Sequence, residues 1–477
     1  MRTEFSSNEN KRKGFDAEGF PLSSNGNPRF AYSYAENGIP LSVTGVSRRH
    51  SSIANLFYSY KSKYNADFSF TYDGTTAFGQ KNMYQPFVSI GASWNLHREK
   101  FLIDVNWVDN LRVRATYGIT GNQNFGSTSS VSTYGYYSDF NYFGQGVYLI
   151  TLGNPNLEWQ NTYQTNFGLD AQLWNKRFSM TLDFFRKYTN PLVIALTLPA
   201  STALSSYPLN MGNLTTVGAE ANVSFAPWYK PKEGKSWFIG FTGTTLKAEY
   251  GGFGNSLEGI NKELANSGSL TRYRDGYDSY DIWAVPSLGI DPATGKEIFL
   301  KKDGTQTFTY SADDQVRLGN SRPQFQGGIS NSVRYKGFTL NMFFRYITGQ
   351  DIMNTALYNK VENIGINSVI TNNQDKRALY ERWREPGDMS QYKAISLTTY
   401  TPISSRFIQR ENTLSFESIN LGYEFINKAW LNNLSIASLR VNAYTNDVFR
   451  ISTVKRERGT SYPYARSFSV GINATFK

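Results

Sequence analysis

The 477-residue sequence predicts an all-β protein, built as an antiparallel transmembrane β-barrel. Polar and apolar residues alternate along segments of about ten residues. These segments exceed the roughly 5–6 residues of most globular strands and match the about 9–11 residues with which a tilted strand crosses a bilayer. Aromatic residues make up 16% of the chain, as expected for lipid-facing bands with aromatic girdles. Short turns alternating with long connections are the third indication.

The hairpin from Tyr163 to Lys187 shows the alternation most clearly, on both sides of a tight turn at Asn175-Lys176. The same pattern recurs along the chain and predicts about thirteen strands. On the hairpin, the residues predicted to face lipid are Phe167, Leu169, Met180 and Leu182. The residues predicted to face a polar lumen, here and on a later strand, are Asn166, Asp170, Gln172, Asn341 and Arg345.

The connections between the strands predict how the chain is oriented. Turns such as Ser62-Lys63 and Lys336-Gly337 are short, whereas the connections near 121–162, 250–322 and 349–409 are long. Compact soluble domains rarely carry several such loops, but outer-membrane barrels combine short periplasmic turns with long extracellular loops. We therefore expect the protein in the cell outer membrane, with the C-terminus periplasmic.

Two regions follow from this organisation. Residues 1–51 are expected to be an external loop or irregular segment, and residues 52–477 a barrel wall with long extracellular loops and no plug domain. The first fourteen residues are polar and lack the apolar core of a secretory signal. Export is therefore expected to depend on a segment outside this sequence.

Composition excludes several kinds of site. Without cysteine there is no disulfide scaffold or thiolate nucleophile, and two distant histidines, His50 and His97, do not suggest a metal site or a catalytic triad. The net charge of +11 is scattered along the chain, so no nucleic acid partner is expected. We predict no enzyme activity, no cofactor and no metal. A hydrolase using Asp170 and Asp183 remains a minor hypothesis, since glycosidases use a facing carboxylate pair.

An aromatic run in the first long connection is the strongest candidate contact surface. Exposed rings there could stack on a sugar, a peptide or a partner protein. The alternative is that they pack the loop against its neighbours. The residues are Tyr134, Tyr136, Tyr137, Phe140, Tyr142 and Phe143.

A series of short motifs resembles the barrel of SusC/RagA-like TonB-dependent outer-membrane transporters of Bacteroidota. Each motif alone is weak evidence for this family, but the order of the motifs over residues 50 to 477 is specific to it. The motifs include Asp73-Gly74-Thr75-Thr76-Ala77-Phe78-Gly79, Ser89-Ile90-Gly91-Ala92-Ser93-Trp94, Leu111-Arg112-Val113-Arg114-Ala115-Thr116-Tyr117-Gly118-Ile119-Thr120-Gly121-Asn122-Gln123, Gly153-Asn154-Pro155-Asn156-Leu157-Glu158-Trp159, Asn210-Met211-Gly212-Asn213, Arg334-Tyr335-Lys336-Gly337-Phe338 and Ser467-Phe468-Ser469-Val470-Gly471-Ile472-Asn473-Ala474-Thr475-Phe476.

The resemblance implies a plugged barrel of about 22 strands that imports oligosaccharides or peptides with energy from TonB, beneath a SusD-like surface lipoprotein. Outer-membrane lipids, that lipoprotein, TonB and a glycan or peptide ligand are then the expected partners. About thirteen strands cannot close a barrel of that size, and no plug is recognisable, so we expect this chain to be the C-terminal barrel portion. The alternative is a passive barrel or surface adhesin that binds a partner without active transport.

Overall fold

The sheet strands are defined in a computed structural model that describes residues 2–14, 17–18, 33–34, 41–76, 78, 82–122, 130–142, 144–198, 200–204, 206–254, 256–396, 399–426, 428–455 and 464–477. Within these ranges, fourteen strands form one antiparallel sheet in chain order. They are β1 (Arg2–Gly14), β2 (Leu41–Tyr60), β3 (Tyr64–Thr75), β4 (Tyr84–Asn95), β5 (Val108–Asn122), β6 (Gln160–Leu173), β7 (Phe178–Asn190), β8 (Asn213–Lys230), β9 (Lys235–Gly251), β10 (Phe325–Tyr335), β11 (Phe338–Met353), β12 (Ile408–Ile426), β13 (Ile436–Ser452) and β14 (Phe468–Phe476).

The predicted all-β, antiparallel class is confirmed, and the strands are long. Several exceed the length needed to cross a bilayer, with twenty residues in β2 and nineteen in β12. In the pairing of the described residues, β1 and β14 are the two edge strands. None of the described helices is long and apolar enough to cross a membrane.

Tight turns join the strands at one end of the sheet. The predicted turns are confirmed by positive φ angles at Ser62 (55°), Asn175 (54°) and Lys336 (46°), a conformation that closes short hairpins. In the last of these turns the residue after Lys336 is a glycine, Gly337, whose φ of 96° is a conformation that glycine adopts readily.

The expectation of an irregular segment over residues 1–51 is wrong for a large part of it. Arg2–Gly14 forms β1 and pairs along its whole length with the first part of β2, from Arg2 opposite Ile53 to Gly14 opposite Leu41. The side chains of residues 2–11 are exposed, and all of them except Phe5 are polar. Since both faces of β1 are polar, the sequence has no alternation from which the strand could be predicted.

The long connections carry structure of their own. Two contain hairpins, Thr133–Asn141 with Gly144–Thr151 and Val193–Thr197 with Ser206–Asn210. The connection between β9 and β10 contains α1 (Glu258–Asn266), the strand pair Asp281–Ala284 and Val316–Asn320, and a small sheet of Ser287–Ile290, Glu297–Leu300 and Gln306–Thr307. The connection between β11 and β12 contains a π-helix (Leu357–Glu362), α2 (Ile366–Thr371) and α3 (Arg377–Tyr380), and α4 (Ala429–Asn433) joins β12 to β13.

The buried apolar clusters lie mainly in these connections rather than along the sheet. One surrounds Phe253 and Leu257, and another surrounds Val361 and Tyr392. The sheet instead exposes its large apolar side chains, with 68% of Ile472 accessible. Exposed apolar surface on this scale indicates contact with lipid or with another protein.

Candidate functional site: the polar face of the wall and the external loops

The apolar face of the sheet is continuous between neighbouring strands. Phe167 lies directly opposite Phe184, and Leu169 lies opposite Leu182. Directly opposed residues share a face, and the two phenylalanines are 59% and 58% exposed. Met180, opposite Ala171, belongs to the same face. The structure thus places all four residues predicted to face lipid on this one apolar surface.

The opposite face is polar over many strands. Successive cross-strand pairs from β7 to β10 connect the polar residues Asp183, Glu220, Thr244 and Gln326, and the row continues on β11 at the apolar Ile347. Because residues two apart on a strand share a face, this row fixes the side on which the predicted lumenal residues lie. All of them fall on it: Asn166, Asp170, Gln172, Asn341 and Arg345.

Two of these lumenal residues contact neighbouring strands. The amide oxygen of Asn341 accepts a hydrogen bond of 2.8 Å from the Ser332 hydroxyl. The guanidinium of Arg345 lies 3.6 Å from the carboxylate of Glu417. The polar face is therefore cross-linked by side chains in addition to its backbone hydrogen bonds.

An ion-pair network connects β5, β6 and β7 on this face. Arg112 donates from Nε (2.9 Å) and Nη2 (2.7 Å) to one oxygen of Asp170. Arg114 donates to the same oxygen (3.3 Å) and to Asp183 (2.6 Å). The sequence predicted the position of Asp170, but not that two arginines on the preceding strand surround it.

The absence of a side chain at Gly168 leaves room for the guanidinium of Arg114. A Cβ on Gly168 would fall 2.4 Å from Arg114 Cζ, so only glycine leaves this space. Arg114 donates to both Asp170 and Asp183 and so occupies the space between the two carboxylates. The facing carboxyl pair of a glycosidase flanks the scissile bond of its substrate, so this arrangement does not support the hydrolase hypothesis.

Negative charge exceeds positive charge beside this network. Asp183 lies directly opposite Glu220, and such like-charge neighbours destabilise a sheet. Within the described residues no cation lies within 4.0 Å of Glu220, whereas Asp183 has Arg114. Both carboxylates line a cleft of about 380 Å³ with Asn222 and Thr242. Its hydroxyl, amide and carboxylate groups can bind a polar or cationic group.

No metal site is apparent on either face. Among the described residues, no group of three or more histidine, aspartate or glutamate side chains is arranged to hold a metal ion.

A buried ion network joins the two longest connections of the chain, between β9 and β10 and between β11 and β12. Arg406 Nη2 lies 2.8 Å from Glu297 and 3.0 Å from Glu362, and only 10%, 4% and 0% of these side chains are exposed. Burial disfavours the charge of Arg406, but hydrogen bonds and Coulomb attraction from the two glutamates outweigh it and raise its pKa. The Arg406–Glu297 pair therefore fixes the two connections to each other. The sequence did not predict this contact.

Four residues of the aromatic run, Tyr134, Tyr136, Tyr137 and Phe140, lie on the hairpin strand Thr133–Asn141. Tyr134 is 64% exposed and Tyr142 is 96% exposed, so two rings of the run are on the surface. The side chains of Tyr136, Tyr137 and Phe140, and the whole of Phe143, lie outside the described part of the chain.

Comparison with curated proteins finds relatives over most of this chain. TonB-dependent receptor P39 of Formosa agariphila is 25% identical over 503 residues, covering 91% of this chain and 47% of that protein. TonB-dependent receptor SusC of Bacteroides thetaiotaomicron is 24% identical over 456 residues, covering 89% of this chain and 43% of SusC. The chain spans about half the length of the curated relatives it matches. No family model matches the chain.

Solved structures show the same fold. The RagAB peptide transporter superposes with a TM-score of 0.82 at 24% identity, covering 99% of this chain and 52% of that one. The RagAB peptide importer in its "open-open" state gives a TM-score of 0.81 at 24% identity, with the same coverage. The resemblance predicted from the order of the motifs is thus confirmed: in sequence and in fold, this chain is similar to the barrel of SusC- and RagA-type TonB-dependent receptors.

Proposed function

We propose that this chain supplies fourteen of the about 22 wall strands of an outer-membrane importer for oligosaccharides or peptides. The remaining strands, to a total of about 22, and the plug would come from an upstream segment. The long connections would be extracellular, the tight turns and Lys477 periplasmic, and TonB would supply energy through the upstream segment. This chain itself would carry out no bond chemistry.

The observation that carries this proposal is the separation of the two faces across the sheet. An apolar outer face with an opposite polar face is the arrangement of a barrel that spans lipid around an aqueous interior. The relatives support import in particular, because they are named TonB-dependent receptors, and the superposed structures are named peptide transporter and peptide importer.

The polar face would form the lumen wall around the plug and the passing ligand. Asn166, Asp170, Gln172, Asn341 and Arg345 are the lumenal positions we assign to it. Their amides and charges would keep the interior hydrated and offer hydrogen bonds to a glycan or a peptide.

The external loops would bind ligand and a SusD-like surface lipoprotein that covers the barrel. Exposed apolar side chains in the connection between β11 and β12 support a protein partner, because Ile370 is 75% exposed, Tyr380 71% and Met389 90%. The aromatic run at Tyr134 to Phe143 is the second candidate contact surface, through stacking on sugar rings or packing on the lipoprotein.

Uptake in the source organism tests the proposal. We expect a strain lacking the full gene to lose growth on an oligosaccharide or peptide source and to regain it with the gene restored. We also expect the same loss in a strain without TonB function. Growth that survives loss of TonB would support a passive barrel, and unchanged growth with lost attachment to a surface would support an adhesin.

A further inference from the structure

A second cleft, of about 700 Å³, lies on the outer side of the wall, away from the lumen. Its wall residue Lys247 is six residues beyond Phe241 on β9, an even separation that puts both on the outward face. On β12, Arg410 is four residues from Leu414, which pairs with the exposed Ile451 on the same face. We call this feature the outer-wall cleft.

Two arginines of the outer-wall cleft are held by buried aspartates. Arg317 Nε donates to Asp281 at 2.8 Å, and Arg410 Nη1 donates to Asp351 at 3.0 Å. The arginine side chains are 49% and 47% exposed, whereas the aspartates are only 2% and 13% exposed. Each guanidinium is therefore held through one nitrogen, while about half of each arginine side chain stays accessible to a ligand.

One asparagine joins the two aspartates. Asn320 donates from its side chain to Asp281 (2.9 Å) and from its backbone N–H to Asp351 (2.9 Å). The packing is close, since a Cβ on Gly319 would fall 2.3 Å from an Asp351 oxygen. Asp281, Asp351 and Asn320 thus form one hydrogen-bonded network, and it orients both guanidiniums before any ligand binds. Such preorganisation lowers the entropy cost of binding.

The surface of the cleft is more cationic than its total charge suggests. Lys247, 68% exposed, adds a third exposed cation, which is paired with the exposed anion Glu249. Arg322 and Asp278, which also line the cleft, are largely buried. The aspartates lie beneath the arginines, so an approaching anion meets mainly guanidinium groups. Guanidinium forks match the oxygens of phosphate and carboxylate groups.

The height of the cleft follows from an aromatic cluster below it. Phe241, Phe325 and Tyr346 are in ring contact on the outward face, with centroids 5.4–6.4 Å apart. Aromatic girdles mark the boundary of the hydrocarbon layer. Lys247 is about 20 Å further along the strand, which is roughly 15 Å higher for a strand tilted by about 40°. A phospholipid headgroup layer is only about 5–8 Å deep, so the cleft lies just above that layer, on the side where the sugar headgroups of outer-leaflet glycolipids project.

We propose that Arg317 and Arg410 form a binding site for the phosphate group of an outer-leaflet glycolipid. The level of the site rests on the membrane orientation proposed above, whereas the arginine geometry does not. The same chemistry could bind a phosphate group on a soluble ligand, and the experiment separates these two sources.

The test uses the full-length membrane protein purified in detergent from its own outer membrane. Native mass spectrometry counts bound lipid A, and calorimetry measures binding of lipid A and of inorganic phosphate. We expect the double variant Arg317→Gln/Arg410→Gln to bind lipid A at least about tenfold more weakly, because two charge-assisted contacts are lost. Arg317→Lys/Arg410→Lys should lose part of the affinity, because lysine keeps the charge but not the fork.

Arg334→Gln is the matched control. Arg334 is also about half exposed and paired with one carboxylate, that of Glu424, but it lies on the lumenal face. The Arg334→Gln variant should bind lipid A as wild type does. Nutrient uptake by the Arg317→Gln/Arg410→Gln variant should remain normal. Phosphate binding that depends on the arginines without lipid A binding would identify a soluble ligand. Equal binding of both probes by wild type and double variant would overturn the site, while a protein absent from the membrane would instead contradict the proposed importer.

Discussion

Arg406 and Glu297 are 109 residues apart in the chain, yet they form a buried ion pair of 2.8 Å. Glu297 belongs to the connection between β9 and β10, and Arg406 lies at the end of the connection between β11 and β12. The pair therefore fixes one long loop to the other. If the loops hold ligand or a lipoprotein partner, they do so as one body.

Arg406→Met should loosen this loop body strongly. It leaves Glu297 and Glu362 as buried, uncompensated charges, and breaking a buried pair in this way costs about 3–5 kcal/mol. Hydrogen exchange of the two connections should rise by orders of magnitude, while the strands below remain protected. Arg274→Gln, which removes an exposed pair with Glu258, should have little effect. Unchanged exchange in Arg406→Met would show that the pair does not hold the loops together.

Acid should loosen the segment around Asp375 only at very low pH. The Arg377 side chain, donating at 3.0 and 2.6 Å, lowers the pKa of Asp375 from 3.8 to about 2. A carboxyl whose folded pKa is lowered stabilises the fold above about pH 4 and loses that contribution as pH falls toward 2. Pepsin should therefore cut this loop faster at pH 2 than at pH 4. In Asp375→Asn that difference should shrink, and an equal difference in both proteins would contradict the assignment.

Gly168→Ala should destabilise the wall by disturbing Arg114. The new methyl group would sit where the guanidinium lies, so at least one contact to Asp170 or Asp183 would be lost, at a cost of about 1–3 kcal/mol. Thermal unfolding of the full-length protein in detergent measures it. Gly471→Ala is the control, because nothing lies within 4 Å of its Cβ position, and its melting temperature should be unchanged or slightly higher. Equal behaviour of the two variants would remove the argument for close packing at Gly168.

Glu220→Gln should slightly stabilise the wall. The change removes the like-charge contact with Asp183 on the neighbouring strand, worth a few tenths of a kcal/mol up to about 1 kcal/mol. Glu220→Asp, which keeps the charge, serves as the control in the same unfolding experiment. A clear loss of stability in the glutamine variant would mean that a cationic partner inside the barrel neutralises Glu220.

How far the sequence predicts the structure depends on whether a contact is local. The β6–β7 hairpin was predicted because its lipid face and its polar face give a period of two. The same alternation predicted the side on which Asp170 lies. It could not reveal β1, whose two faces are both polar, nor the Arg406–Glu297 pair, because a contact across 109 residues leaves no periodic pattern.

The central claim is that these fourteen strands are only part of a closed wall. Their edges, β1 and β14, would expose unpaired backbone groups to lipid if nothing else joined them. The direct measurement is gel mobility, before and after boiling, of this chain refolded alone into liposomes and of the chain refolded with its upstream segment. We expect a compact barrel only when the upstream segment is present. Its sign is that the unboiled protein and the boiled protein migrate differently on the gel. A compact barrel that resists unfolding in detergent, formed by this chain alone, would contradict the account.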